Sequence, residues 1–187
     1  MILPALGPAV GAALLLVSAW AAAPALMTYS PPSRGFSCEI GAWGWSTWEE
    51  RSLRGISAHL LGPKASGPLR PAYHIHHFEK NTPGYAPISQ TLRHAREKNQ
   101  DSRRESTSLV SWRVSRKASK VFEVREWRLL PTDTLPAMEV PLHHFYAFVP
   151  VSESDYFMIK LTVSEEDLHE FRPEFRRFLE SFHIFGY

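Results

Sequence analysis

The chain has 187 residues, which is enough for one domain of ordinary size with a packed core. Hydrophobic residues make up 44% of the sequence and aromatic residues 12%, a composition that excludes global disorder. The formal net charge is +2, but residues 93–128 contain eleven Lys/Arg against five Asp/Glu, and residues 129–187 contain four against ten. This division favours two oppositely charged, solvated surfaces. The electric field of such a charge distribution can also orient a domain on a membrane or on a partner protein.

The first 33 residues contain no charged side chain. Ala12–Val17 resembles the apolar centre of a secretory signal, and small residues suited to cleavage follow it. We therefore predict a signal peptide over residues 1–25, with the mature chain beginning near Ala22 or Leu26 in the periplasm or outside the cell. The alternative is a retained inner-membrane anchor, although prolines leave an uninterrupted apolar run of only about 15 residues, short for a membrane span.

Residues 26–35 are rich in proline and serine and predict an extended, mobile linker before a single domain at residues 36–187. Cys38 is the one cysteine, so an internal disulfide is impossible and packing alone must hold the domain together. A free cysteine on a strand is expected to be buried rather than reactive.

Apolar alternation and turn residues divide the domain into strands and helices. Strands are predicted, in chain order, at Phe36–Ile40, Ile56–Leu61, Ala72–Phe78, Leu109–Val114, Val121–Leu130, Leu142–Val149 and Tyr156–Val163. A charged helix is predicted at Ser89–Lys98, followed by a loop at Asn99–Ser108. The last four strands are typical of an antiparallel meander.

A second helix follows the last strand. Ser164 and Asp167 form a helix-start signature, with acidic residues in the first turn. Apolar residues then recur at helical spacing and place an aromatic stripe against the sheet, at Leu168, Phe171, Phe175, Phe178, Leu179 and Phe182. Pro173 lacks a backbone donor, so we expect the helix to break there and restart.

The two ends of the domain resemble those of PsbP-like domains, which include the extrinsic oxygen-evolving-complex protein and secreted bacterial relatives. The similar segments are Phe36–Trp45, Phe157–Leu161, Ser164–Glu166, Arg172–Phe175 and Phe178–Phe182. Gly41–Trp45 departs from the proline-containing turn of that family. The resemblance implies an α/β (α+β) fold, a central antiparallel sheet with helices packed on its faces. It implies no chemistry, because the family is largely non-enzymatic.

Histidines cluster on two predicted strands. His74 and His76 are two residues apart, so they share one face of the sheet. With His144 from another strand they would form a three-nitrogen site suited to zinc or copper. The alternative is that these histidines pack under a helix or loop, each with one hydrogen bond.

Tryptophans and basic residues form the second candidate site. Trp43, Trp45 and Trp48 either close the end of the sheet or line a ligand groove. The basic stretch fits anionic lipid headgroups or an acidic envelope protein, and nucleic acid is not expected. The predicted ligand or partner surface comprises Trp43, Trp45, Arg103, Arg104, Arg113, Arg116 and Lys117.

These features favour an exported, non-enzymatic binding or accessory module of the cell envelope. The first alternative is a periplasmic protein that binds metal through its strand histidines. A hydrolytic enzyme is the least favoured class, because no G-x-S-x-G elbow is present and Glu39 would raise the pKa of the neighbouring Cys38 thiol rather than activate it.

Overall fold

A computed structural model describes residues 25–33, 35–53, 55–97, 103–130 and 138–186. Nearly all of the predicted signal or anchor segment lies outside these ranges, as do Lys98 and the first residues of the predicted loop at 99–108. Within the described ranges, no helix is long and apolar enough to cross a membrane.

Two antiparallel sheets and two helices form the domain. The strands are β1 (Leu26–Tyr29), β2 (Phe36–Gly41), β3 (Ser46–Ser52), β4 (Gly55–Leu61), β5 (Ala72–Phe78), β6 (Arg104–Ser106), β7 (Val110–Val114), β8 (Lys117–Leu130), β9 (Met138–Pro150), β10 (Tyr156–Ser164) and β11 (His183–Ile184). The helices are α1 (Ile88–Arg96) and α2 (Leu168–Ser181), and a 3₁₀ turn at Glu165–Asp167 precedes α2. The large sheet has the order β3-β4-β5-β10-β9-β8-β6, with β7 also paired to β8, and the small sheet has the order β1-β2-β11.

The core lies between one face of the large sheet and α2. Side chains at alternate positions of β10, from Phe157 to Val163, point to this face and are buried. The stripe of α2 covers them, and the ring of Phe178 stacks on that of Tyr73 with centroids 4.2 Å apart. The small sheet joins the same core through Phe36, which stacks on Phe182 at 4.9 Å. We call this side of the large sheet the α2 face.

The opposite side, the α1 face, carries a smaller apolar cluster. Its buried side chains, among them Phe78, Phe148 and Tyr156, pack against Ile88 and Leu92 of α1. A helix therefore covers each face of a central antiparallel sheet, which confirms the predicted fold class. Every predicted strand is present, and β7, β8, β9 and β10 pair in succession to form the predicted meander.

Four strands were not predicted. β1 falls in the predicted linker, but it pairs with β2 from Leu26 opposite Gly41 to Tyr29 opposite Cys38. The prediction of a mobile linker is therefore wrong for these four residues. β3 is an edge strand with mostly exposed side chains, so it shows no apolar alternation. β6 lies within the predicted loop, and β11 has only two residues.

The start of α2 also differs from prediction. The helix continues through Pro173, and the change from 3₁₀ to α geometry comes earlier, at Leu168. The helix-start residues hold a neighbouring loop instead of capping the helix. The Asp167 carboxylate accepts hydrogen bonds from the backbone N–H groups of Ser66 and Gly67 at 2.9 and 3.0 Å, and Ser164 Oγ accepts one from Leu69 at 3.3 Å.

Candidate binding groove

The histidines predicted to bind metal share the α1 face but do not converge. His74 and His76 lie on β5 and His144 on β9, with β10 between these two strands. In the β10 register, Lys160 lies opposite His74, whereas Thr162 lies opposite His144. His144 is thus separated from the β5 histidines by a strand and by an offset along the sheet.

Protein atoms already bond two of these histidines. His144 contacts Thr162 Oγ1 at 2.9 Å and the Glu126 carboxylate at 3.0 Å, one through each ring nitrogen. His76 Nδ1 lies 2.6 Å from Ser57 Oγ. In the part of the chain that the structure describes, no group of three or more His, Cys, Asp or Glu side chains is arranged to hold a metal ion. The predicted zinc or copper site is therefore not formed.

His74 belongs instead to a stack of rings that crosses three strands. Trp48, His59 and His74 lie in direct cross-strand register, with ring centroids 5.0 and 4.6 Å apart. Burial and the neighbouring His59 and His76 lower the pKa of His74 to about 4, so its ring is neutral and packs as an aromatic group. Burial also lowers the pKa of the adjacent Lys160 to about 8.

The basic stretch divides into two places. Arg103 places its guanidinium 4.3 Å from the centroid of Trp127. Arg104 is largely buried and pairs with the Glu126 carboxylate at 3.1 Å. These two arginines of the β6 region are thus engaged with β8, which leaves Arg104 unsuited to the predicted partner surface.

The other basic residues lie at the hairpin of β7 and β8. Arg113 and Arg116 are exposed there. Arg116 has φ of 65° at the turn. The Lys117 ammonium donates a hydrogen bond to the backbone carbonyl of Val151 at 3.2 Å. The hairpin therefore presents positive charge to solvent at one edge of the large sheet.

The tryptophans also divide. Trp45 packs against the core, with its ring 5.5 Å from that of Tyr73, so it closes the end of the sheet. Trp43, in the loop between β2 and β3, is 82% exposed. Trp43 is therefore accessible to a partner, whereas Trp45 is not, and Trp43 lies far in strand order from the basic hairpin.

An apolar groove of about 400 Å³ lies between α2 and the hairpin of β7 and β8. The groove forms because α2 covers the centre of the sheet and leaves the flank beside β7 open. Its apolar lining consists of Pro173, Phe175 and Leu179 from α2, and Trp112, Val121 and Phe145 from the strands. None of the residues predicted for the ligand or partner surface lies in this lining, although Trp112 belongs to the basic stretch.

Two arginines of α2 complete the lining. The guanidinium of Arg176 lies 4.9 Å from the ring centroid of Trp112, and that of Arg172 lies 5.7 Å from the centroid of Phe145. Both side chains are more than half exposed, and Arg176 is 3.8 Å from Glu180 on the same helix. The groove therefore combines aromatic walls with accessible positive charge.

Arg172 is held by a network of ionisable side chains on the α2 face, which we call the His143 network. His143 bonds Glu123 through Nδ1 and Glu165 through Nε2, the latter at 2.8 Å. Arg172 donates to both oxygens of Glu123, at 2.8 and 3.1 Å, and Arg125 pairs with Glu165 at 2.9 Å. Burial lowers the pKa of His143, but the bonds to the two carboxylates outweigh burial and raise it.

The edge of β7 beside the groove is open. β7 pairs with β8 from Val110 opposite Val121 to Val114 opposite Lys117, and its other edge pairs with no strand in the described ranges. Val110 is 54% exposed and shares the face of Trp112, two residues further on. An unpaired strand edge thus runs along an apolar groove.

The sequence matches no protein-family model and no curated protein. Among solved structures, the chain is similar to the solution structure of cyanobacterial PsbP (CyanoP) from Synechocystis sp. PCC 6803, with 12% identity, 89% of this chain and 96% of that chain covered, and a TM-score of 0.52. The chain has a PsbP-like fold. A Pseudomonas aeruginosa protein of unknown function is similar over 81% of this chain and 92% of its own, with 16% identity and a TM-score of 0.45. The PsbP-like resemblance found in the sequence is confirmed for the fold.

Proposed function

We propose that this protein is an exported, non-enzymatic binding module that takes up an extended, acidic segment of an envelope partner protein. The segment adds to the open edge of β7, and its alternate side chains enter the groove. The observation that carries the proposal is the apolar groove of about 400 Å³ beside an unpaired strand edge.

Strand addition suits this arrangement for a geometric reason. An added strand makes backbone hydrogen bonds along β7, and every second side chain of it then faces the same side as Val110 and Trp112. That side is the α2 face, where the groove lies. Backbone bonding supplies affinity without sequence preference, and the groove supplies the preference for apolar side chains.

Charge selects an acidic partner. Arg176 lies at the wall of the groove, while Arg113 and Arg116 lie on the hairpin that carries β7. The pairing of Arg176 with Glu180 is long and solvent-exposed, so a carboxylate of the partner can replace it at little cost. Arginine also matches a carboxylate with two parallel hydrogen bonds.

The groove offers binding rather than chemistry. Its lining residues are apolar except for Arg172 and Arg176, and a guanidinium group offers hydrogen-bond donors but no acceptor. Neither of them serves as a general base or nucleophile. The ligand is therefore expected to leave the groove unchanged.

The proposal is tested with a fluorescein-labelled synthetic peptide in which aspartate alternates with valine and phenylalanine, titrated with full-length protein and followed by anisotropy. We expect Arg176→Glu and Trp112→Ala each to weaken binding at least about tenfold, which is about 1.4 kcal/mol. Trp48→Ala removes an exposed tryptophan from the opposite edge of the sheet and is the matched control.

Two further peptides test the mode of binding. Replacing every aspartate with lysine should abolish binding. N-methylation of alternate backbone amides removes the donors of one side of the peptide, so one of the two alternating patterns should abolish binding and the other should not. Equal binding of both methylated peptides, or equal effects of Trp112→Ala and Trp48→Ala, would overturn the proposal.

A further inference from the structure

A second exposed surface lies where the described chain begins. It comprises Leu26 of β1, Trp43 of the loop after β2, and Lys64 and Arg70 of the loop after β4; we call it the amino-terminal patch. The backbone N–H of Ala42 donates to the carbonyl of Ala25 at 2.8 Å, and Leu26 pairs with Gly41, which brings the start of β1 beside the Trp43 loop.

The apolar part of the patch is unusually exposed. Trp43 is 82% exposed, and Leu26 is 49% exposed. The loop that presents Trp43 is fixed by its neighbours. Trp45 is packed into the core, and Gly44 has φ of 81° and lies so close to Pro63 that a Cβ would be 2.8 Å from the proline side chain.

Two cationic side chains lie beside the loop that carries Trp43. The Arg70 guanidinium donates to the carbonyl of Gly62 at 2.6 Å and to that of Gly44 at 3.3 Å, which holds its charge beside the Trp43 loop. Lys64 follows Pro63, the residue against which Gly44 packs, and is exposed. Exposed aromatic and apolar side chains with adjacent cations are the features of a protein surface that rests on an anionic bilayer.

The uncharged segment that precedes the patch also favours a lipid surface as its binding partner. The 24 residues before Ala25 carry no charged side chain, and export would bring this segment to a membrane. The amino-terminal patch is the first part of the folded domain after that segment. It also lies at the β3 side of the large sheet, with five strands between β3 and β7, so the groove remains free.

We infer that the amino-terminal patch docks on an anionic lipid surface, with Trp43 and Leu26 at the level of the headgroups, since Met27 points to the opposite side of β1 from Leu26. Lys64 and Arg70 then contact headgroup phosphates from the rim. Tryptophan suits the headgroup level because its ring is apolar and its indole N–H still needs a polar partner. Docking places the β3 side of the large sheet near the membrane. The groove, beside β7 at the other side of the sheet, then lies away from the membrane.

The test uses full-length protein mixed with vesicles of phosphatidylcholine and phosphatidylglycerol whose acyl chains are brominated, because bromine quenches tryptophan fluorescence on contact. Trp20 is present in every variant, so any quenching of it is common to all of them and cancels in the comparison. We expect Trp43→Phe to lose the quenched contribution of one tryptophan, whereas Trp112→Phe, on β7 at the other edge of the sheet, should lose none.

Charge is tested with the same readout. Lys64→Glu should weaken binding to anionic vesicles, measured by the quenching of Trp43, about fivefold. Vesicles of phosphatidylcholine alone should give little quenching of Trp43. The inference would be overturned if Trp43→Phe and the unaltered protein were quenched equally. It would also be overturned if the quenching of Trp43 were the same on neutral and anionic vesicles.

Discussion

Replacing His143 with glutamine should lower stability, and the loss should depend on pH. The protonated imidazole bonds two carboxylates, and one charge-assisted hydrogen bond contributes about 1.5–3 kcal/mol. The bond to Glu165 counts for less, since that carboxylate is 41% exposed and also pairs with Arg125. Glu123 keeps Arg172 in the variant, so no buried charge is left unpaired. We therefore expect a loss of about 2–3 kcal/mol near pH 6.

The sign of the pH dependence follows from the pKa directions. The pKa of His143 is raised in the folded protein, so its contribution is full below the unfolded value of about 6.5 and is lost as pH rises through the folded value. The pKa of Glu165 is lowered by its bond to His143, and that of Glu123 is lowered despite burial. Their contributions are full above about pH 4.3 and are lost in more acidic solution. The network thus stabilises the fold most between about pH 4.3 and 6.5.

Urea unfolding followed by tryptophan fluorescence, at pH 6 and pH 9, measures the difference. The destabilisation of His143→Gln should shrink at pH 9, because the contribution of the protonated imidazole is lost as pH rises through the raised pKa of His143. His74 and His144, whose pKa values burial lowers to about 4, are common to both proteins and cancel. His169→Gln, on the exposed side of α2, is the control. A loss of equal size at both pH values would refute the reasoning.

Two other changes test the core. Phe178→Ala removes a ring that is 1% exposed and stacked on Tyr73, and should cost about 3–5 kcal/mol in denaturant unfolding; a loss below about 1 kcal/mol would contradict tight packing of α2. Cys38 is buried, as predicted, and burial raises the pKa of its thiol, so a disulfide reagent at pH 8 should label it only as fast as the protein unfolds. Rapid labelling of the native protein would show that the strand opens locally.

The elements that the sequence predicted well are those with one buried face. β10 alternates strictly, and its inward side chains are completely buried. The stripe of α2 is equally regular, and its phenylalanines reach the core as expected. β3 escaped prediction because an edge strand with solvent on most sides needs no apolar alternation. Pro173 was misread because the loss of one backbone donor does not end a helix whose apolar face is well packed.

The groove could not be read from sequence, because its walls come from segments far apart in the chain. Trp112 and Arg176 meet only once α2 lies across the sheet. The His143 network was missed for a different reason. Only His144 of β9 was placed in a predicted site, yet neighbouring residues of a strand face opposite sides of the sheet, and His143 lies on the α2 face. Strand alternation alone would have separated His143 from His144.

The small sheet has a consequence for the order of folding. β2 pairs on one edge with β1 and on the other with β11, which lies far from β2 along the sequence. The stack of Phe36 on Phe182 likewise joins residues that are far apart in the sequence. Contacts of such long sequence separation form slowly, because the whole intervening chain must first be brought into place. Closure of this sheet is therefore expected to be a late step, and until it occurs the edge of β2 stays open to pairing with other chains.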